Sequence, residues 1–94
     1  LYALNANTGS LIWKHQTGGA IYSSPTVANS VVGGSVYVGS NDGNLYALDA
    51  STGSLMWMYH TGDSVESSPI LVNYVINSVV YVGSDDDNVY AIYA

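Results

Sequence analysis

The chain has 94 residues and a formal net charge of −6, with seven acidic side chains against a single cation, Lys14. That balance repels phosphate backbones and anionic lipid headgroups, which argues against nucleic-acid binding and membrane insertion. No cysteine is present, so disulfides, thiolate zinc sites and cysteine nucleophiles are excluded.

Val, Tyr, Ser, Gly and Asn are abundant, while Lys, Arg, Glu and Gln are scarce, a bias toward pleated structure and away from helix. The longest unbroken apolar run, Val89 to Ala94, is far short of the ~18 residues a membrane helix needs. The sequence begins at Leu1 with no basic, apolar signal segment, and it reads as a mature fragment or a piece of something longer.

Displacing the sequence by 44 positions brings 24 of 44 pairs into identity without a gap, so the elements are read as copies of one unit. Leu1 to Leu4 is the first strand-like run; it returns at Leu45 to Leu48 and begins again at Val89. Thr8-Gly9 turns the chain into a run carrying Trp13, which Thr17-Gly18 ends. Ser23-Ser24-Pro25 opens the next run, because Pro cannot donate to a ladder and suits a strand's start or edge. Val36 to Gly39 follows, then the tight connection Asn41-Asp42-Gly43-Asn44, then Leu45 to Asp49. Ser51-Thr52-Gly53 leads into Leu55 to His60, ended by Thr61-Gly62. Ser67 to Asn73, Val79 to Gly83, the turn Asp85-Asp86-Asp87-Asn88 and the final run complete the chain. All these connections are short, so neighbouring runs are expected to pair as antiparallel hairpins.

Val79 to Val82 and Leu55 to Tyr59 are continuously apolar, which predicts burial on both faces. A sheet that is apolar on both sides needs a neighbour on each side, and identical sheets stacked around an axis supply them. Four strands in a period of ~40–45 residues agree with that arrangement. A sandwich would leave outward faces polar, and helical repeats lack support because no 3.6-residue pattern is present. The expected fold is therefore all-β: β-propeller blades, each a four-stranded antiparallel sheet, about two and a quarter blades in an incomplete ring. Residues 1–22 supply the last two strands of one blade, 23–62 a complete blade, and 63–94 the first three strands of a further blade.

Ala47, Asp49, Thr52, Gly53 and Trp57 fit the spacing A-x-D-x-x-T-G-x-x-x-W, and Ala3, Asn5, Thr8, Gly9 and Trp13 repeat it with Asn for Asp. Asp49 at a strand end can accept hydrogen bonds from the turn that follows, Thr52 can do so through its hydroxyl, and Gly53 supplies positive φ. The ring of Trp57 on the next strand can bury ~200 Å² against small residues. This pattern resembles the tryptophan-docking motif of the pyrroloquinoline-quinone (PQQ)-like propeller repeats, over essentially the whole chain. The resemblance implies that Trp13 sits between Ala3 and the peptide near Gly53, and that Trp57 needs a glycine from a blade beyond this chain. The third copy, Ala91-Ile92-Tyr93-Ala94, has Tyr93 at the Asp position and reaches neither glycine nor tryptophan.

The resemblance also implies rings of roughly six to eight blades, so the missing blades are expected from a longer parent chain or from identical subunits, three or four of them. Dehydrogenases of that family hold PQQ on calcium in the central funnel, beside a catalytic aspartate and commonly a disulfide. This chain has neither cysteine nor arginine, and Lys14 falls on an outer strand, so we expect no cofactor and no enzyme activity. Asp85-Asp86-Asp87 lacks the alternate spacing of a calcium loop and reads as a solvated turn. His15 and His60 are not repeat-equivalent and read as outer-strand surface residues. Ser23-Ser24 and Ser67-Ser68 have no recurring base beside them and read as strand entries. The expected role is a structural or protein-interaction scaffold, extracellular, cell-surface or periplasmic, with a possible protein ligand. The alternative is a fragment of a PQQ- and calcium-dependent quinoprotein dehydrogenase.

Overall fold

β-Branched and aromatic runs punctuated by Asx- and Gly-rich turns form nine strands in the computed structural model, which describes residues 1–30 and 33–94. Val31 and Val32, within the expected complete blade, lie outside the described residues. The strands are β1 (Tyr2–Leu4), β2 (Leu11–Lys14), β3 (Thr26–Ser30), β4 (Gly33–Gly39), β5 (Asn44–Asp49), β6 (Leu55–His60), β7 (Ile70–Asn73), β8 (Ser78–Gly83) and β9 (Val89–Tyr93). They make three antiparallel sheets in chain order: β1-β2, β3-β4-β5-β6 and β7-β8-β9. The fold is all-β, without a helix among the described residues, and the sheets are propeller blades, one with four strands and two with fewer, rather than a closed barrel.

Register repeats with the sequence. Ala3 faces Trp13 across β1-β2, and Ala47 faces Trp57 across β5-β6. Both hairpins carry a bulge immediately afterwards, at Ala3/Leu4 and Ala47/Leu48. Tyr37 faces Ala47 in the second sheet, and Tyr81 faces Ala91 in the third. The strands that begin after each Ser-Ser-Pro, β3 and β7, are where neighbouring sheets approach at their inner edges. There the Ser24 N–H donates to Ser68 Oγ (2.9 Å) and the Thr26 hydroxyl to the Pro69 carbonyl (2.5 Å). The proline entry thus has a physical use: its free carbonyl is turned to the neighbouring blade.

The core lies between sheets, not within one. Trp13, Val36, Val38, Tyr46 and Leu48 form one buried cluster across the first and second sheets, packed by Leu1, Ala3 and Ile21. Tyr37, Leu45, Ala47, Val65, Val80 and Val82 form the other, across the second and third, packed by Trp57 and Tyr90. Burial on both faces holds for β5, buried from Leu45 to Leu48; from Val79 to Val82 only Val80 and Val82 are buried, and Val79 and Tyr81 on the other face are half-buried. It fails for Leu55 to Tyr59: in β6 only Trp57 is partly buried, and Leu55, Met56, Met58 and Tyr59 are exposed. The reason is geometric. β6 is the outermost strand, where sheets fanning from an axis stand farthest apart, and a continuous apolar run there meets its neighbour only in part, as where the Tyr59 ring reaches Tyr90 of the third sheet (5.6 Å).

Candidate functional site: the two interblade seams

The seams are built from the motif turns upward. Asp49 ends β5, and its Oδ1 accepts the N–H groups of Ser51 (2.8 Å) and Thr52 (3.0 Å). Those two bonds hold its carboxyl below the usual carboxylate range. The Thr52 hydroxyl accepts the Ser54 N–H (3.3 Å), and Gly53 turns the chain with φ 75°. Asn5 does the same work through its amide oxygen, accepting from Asn7 (2.9 Å) and Thr8 (3.1 Å) ahead of Gly9 at φ 75°. An amide oxygen therefore replaces the carboxylate without changing the turn.

The two turns differ in what lies on them. Gly53 is buried under Trp13: a Cβ at Gly53 would stand 2.6 Å from two ring carbons. The Trp13 Nε1–H donates to the Ala50 carbonyl (2.9 Å), and only 9% of the residue is exposed. Next to it, His15 Nδ1 meets the Gly53 carbonyl (3.0 Å), and its ring stands edge-on to Tyr46. His15 is thus half-buried in the seam and is not a free surface residue. His60 does lie exposed, against Asn44 Oδ1 (2.8 Å). At the other motif, Gly9 has nothing within 4 Å of where its Cβ would be. Trp57 packs against Tyr37 (5.9 Å between rings) and stays half-buried.

A second set of seam contacts was not singled out by motif reasoning. Asp42, in the β4–β5 turn, reaches back across the first seam: its Oδ2 accepts the Gly18 N–H (2.9 Å) and the Tyr46 hydroxyl, and its Oδ1 accepts the Asn44 N–H (3.0 Å). Asp86 repeats this across the second seam with Gly62 (2.8 Å), Tyr90 and Asn88 (3.0 Å). Burial pushes the Asp42 carboxyl up, but the bonds from Tyr46, Asn44 and Gly18 outweigh it and hold it below the ordinary range. Asp86 is held low first by the Tyr90 hydroxyl, against a smaller effect of burial. Backbone bonds run alongside, from Asn41 N–H to the Ala20 carbonyl and from Asp85 N–H to the Ser64 carbonyl, both 2.8 Å. Asp42, Tyr46, Gly18 and their partners 44 residues on are identical in the two copies; that identity was the available signal. The solvated turn expected at Asp85-Asp86-Asp87 is in this respect a clamp.

The paired serines have structural partners. Ser23 is buried, and its Oγ accepts the Gly39 N–H (3.0 Å); Ser67 Oγ accepts the Gly83 N–H (2.9 Å). Neither faces an imidazole or carboxylate among the hydrogen bonds of the described residues.

No helix among the described residues is long and apolar enough to cross a membrane. A search of curated proteins returns no match. The family model described as "Outer membrane protein assembly factor BamB" matches residues 1–94. With motif, register and seams in place over that full span, the chain belongs to this family of PQQ-like β-propeller repeats.

Proposed function

We propose that this chain is a non-catalytic propeller module, a scaffold whose recognition chemistry is directed at further blades and at a protein ligand. The observation that carries the reading is the recurrence of one polar clamp, Asp42 with Gly18 and Tyr46, then Asp86 with Gly62 and Tyr90, at both seams. Side chains of the type an enzyme would use are here engaged structurally: Asp42, Asp86 and Ser68 join sheets, and Asp49, Ser23 and Ser67 hold turns and strand entries within a blade. The donor set supports the same reading. Among the described residues no three His, Asp or Glu side chains converge as metal ligands. The one cation, Lys14, is exposed on β2, away from the inner strands, where a polyanionic quinone would need positive partners. These features support a reading without PQQ.

The missing blades come from a longer parent chain or from identical subunits, three or four to a ring, and the setting is periplasmic or cell-surface, in keeping with the family's outer-membrane description. Incubation with PQQ and calcium, followed by absorbance and dye-linked alcohol oxidation, is expected to give neither a bound quinone spectrum nor turnover. Either signal would favour a quinoprotein dehydrogenase fragment instead.

A further inference from the structure

The outer edge of the complete blade is unpaired: among the described residues β6 is joined to β5 alone. The register says which backbone groups face outward. Asn44 faces His60, and the Thr61 N–H reaches past that pair to the Gly43 carbonyl (2.8 Å). Asn44 and His60 are therefore a non-hydrogen-bonded pair. Along the regular part of the ladder, Leu45–Tyr59 and Ala47–Trp57 exchange bonds and Tyr46–Met58 do not. The N–H and C=O groups of Met58 and His60 thus point away from the sheet, and no other described backbone group bonds them.

The side chains along this edge are apolar as well. Leu55 and Met58 stand opposite Leu48 and Tyr46, on the face that carries the first seam's buried cluster. They remain 47% and 54% exposed, although β2, the outer strand of the facing sheet, is in place. Trp57 and Tyr59 lie on the other face. Leu55 to Tyr59 contain no charge, proline or glycine, so nothing along them blocks a further strand. β2 is protected: by the 44-residue period Lys14 stands where β6 has Met58, and a lysine on an edge opposes pairing. The bulge in β6 falls at Leu55-Met56 and leaves Trp57 to His60 regular.

We propose that this edge pairs with the same edge of a second copy of the chain, antiparallel, about a two-fold axis at Met58. Met58 and its counterpart then exchange both N–H···O=C bonds, as their outward groups require. Trp57 faces Tyr59 of the second copy and Tyr59 faces Trp57 of the second copy. These are two aromatic cross-strand pairs at the closer, non-hydrogen-bonded spacing. On the opposite face the two Met58 side chains meet. An axis at Trp57 would instead set Met58 against the bulged Met56. The occupant is a second copy because β6 itself supplies the bonding groups and rings in the order its own edge needs. Six residues a side bury less than the ~800 Å² per partner of a standard interface, so the pair is weak and concentration-dependent. With −6 on each copy, it strengthens with salt. The edge lies outside both seams, so this contact goes beyond blade packing and does not depend on it.

Sedimentation of the full chain and of Met58→Lys over a concentration series tests the pairing. The repeat already carries a lysine at the equivalent place, Lys14, so the strand tolerates it, while two ammonium groups would meet at the axis. The unmodified chain is expected to double in mass with concentration, and Met58→Lys to need at least tenfold more protein to do so. Identical behaviour of the two would overturn the edge pairing and leave blade packing standing, as would an unmodified chain whose mass never doubles. Thiols read the register, in a chain with no other. Met58→Cys brings two Cα atoms to about 5.5 Å, within disulfide reach. It is expected to oxidise to a linked pair at least tenfold faster than Met56→Cys, whose neighbour is His60 of the second copy. Equal rates would overturn the axis at Met58.

Discussion

The two seams share the carboxylate clamp and differ in their tryptophan closure. At the first, Trp13 is shut over Gly53 and bonded to the Ala50 carbonyl; at the second, Trp57 rests on Tyr37 without a glycine beneath it. Both have the carboxylate clamp at nearly the same distances, 2.9 and 2.8 Å to the glycine N–H. The comparison separates two jobs. The clamp sets how neighbouring sheets align, because it needs only the two sheets it joins. The tryptophan measures whether the outer part of the seam is closed, because it needs the motif turn of the next blade as well.

The largest contrast is expected between the two tryptophans. Trp13→Ala should cost about 3–5 kcal/mol, the range for emptying a large aromatic from a core, whereas Trp57→Ala should cost about 1–2 kcal/mol, a typical value for a half-buried site. Urea unfolding followed by tyrosine fluorescence measures both, and equal losses would erase the distinction between the seams. The same contrast can be approached from the glycine side. Gly53→Ala sets a Cβ against the Trp13 ring at positive φ and should cost about 2–4 kcal/mol. Gly9→Ala has the same φ of 75° and open space, so only the backbone penalty of about 1–2 kcal/mol applies.

Smaller effects sharpen the part the seams share. Tyr46→Phe removes the hydroxyl donated to Asp42 and should cost about 1 kcal/mol; Tyr90→Phe should act in the same direction and less, since Tyr90 is less enclosed than the buried Tyr46. The smallest effect is pH-dependent. Asp42, Asp49 and Asp86 are all held below the ordinary carboxylate range in the folded chain. The unfolded state therefore takes up protons first as acid is added, near the ordinary Asp value of about 3.9, and stability falls as pH drops through the lower folded values. Glu66 is shifted the other way, first by the hydrogen bond its protonated carboxyl gives Asp85 and then by the Asp85 charge, so mild acidification favours the folded chain there. A thermal melt series should show a shallow rise below neutrality and then a fall below about pH 4, with the fall blunted in Asp42→Asn.

Much of this was legible in the residues. The 44-residue period, the four strands per unit and the Asx-Thr-Gly turn all follow from local chemistry, because turn geometry and strand pairing depend on residues close in the chain. The place of Trp13 could be anticipated only through the family resemblance. Three features were not legible. The exposure of Leu55, Met56 and Met58 on β6 depends on how far apart sheets stand at the rim, a distance no apolar run encodes. The half-buried position of His15 depends on Gly53 and Tyr46, which are 38 and 31 positions away. The Asp42 clamp looks like a polar hairpin turn when read along the chain, and its partner Gly18 belongs to the preceding sheet. Identity between copies marked those positions as constrained, and only the seam geometry says by what.

The recurrence of the clamp also bears on how such a molecule can change in size. Because each 44-residue unit offers the N–H of a Thr-Gly pair on one flank and an Asp on the other, a duplicated gene segment would encode a wedge already matched to both of its new neighbours. Growth or shrinkage by whole units leaves every joint chemically the same, and the total stability rises or falls nearly in proportion to unit number. Copy number, rather than point substitution, is then the variable that sets how wide an assembly of these wedges becomes.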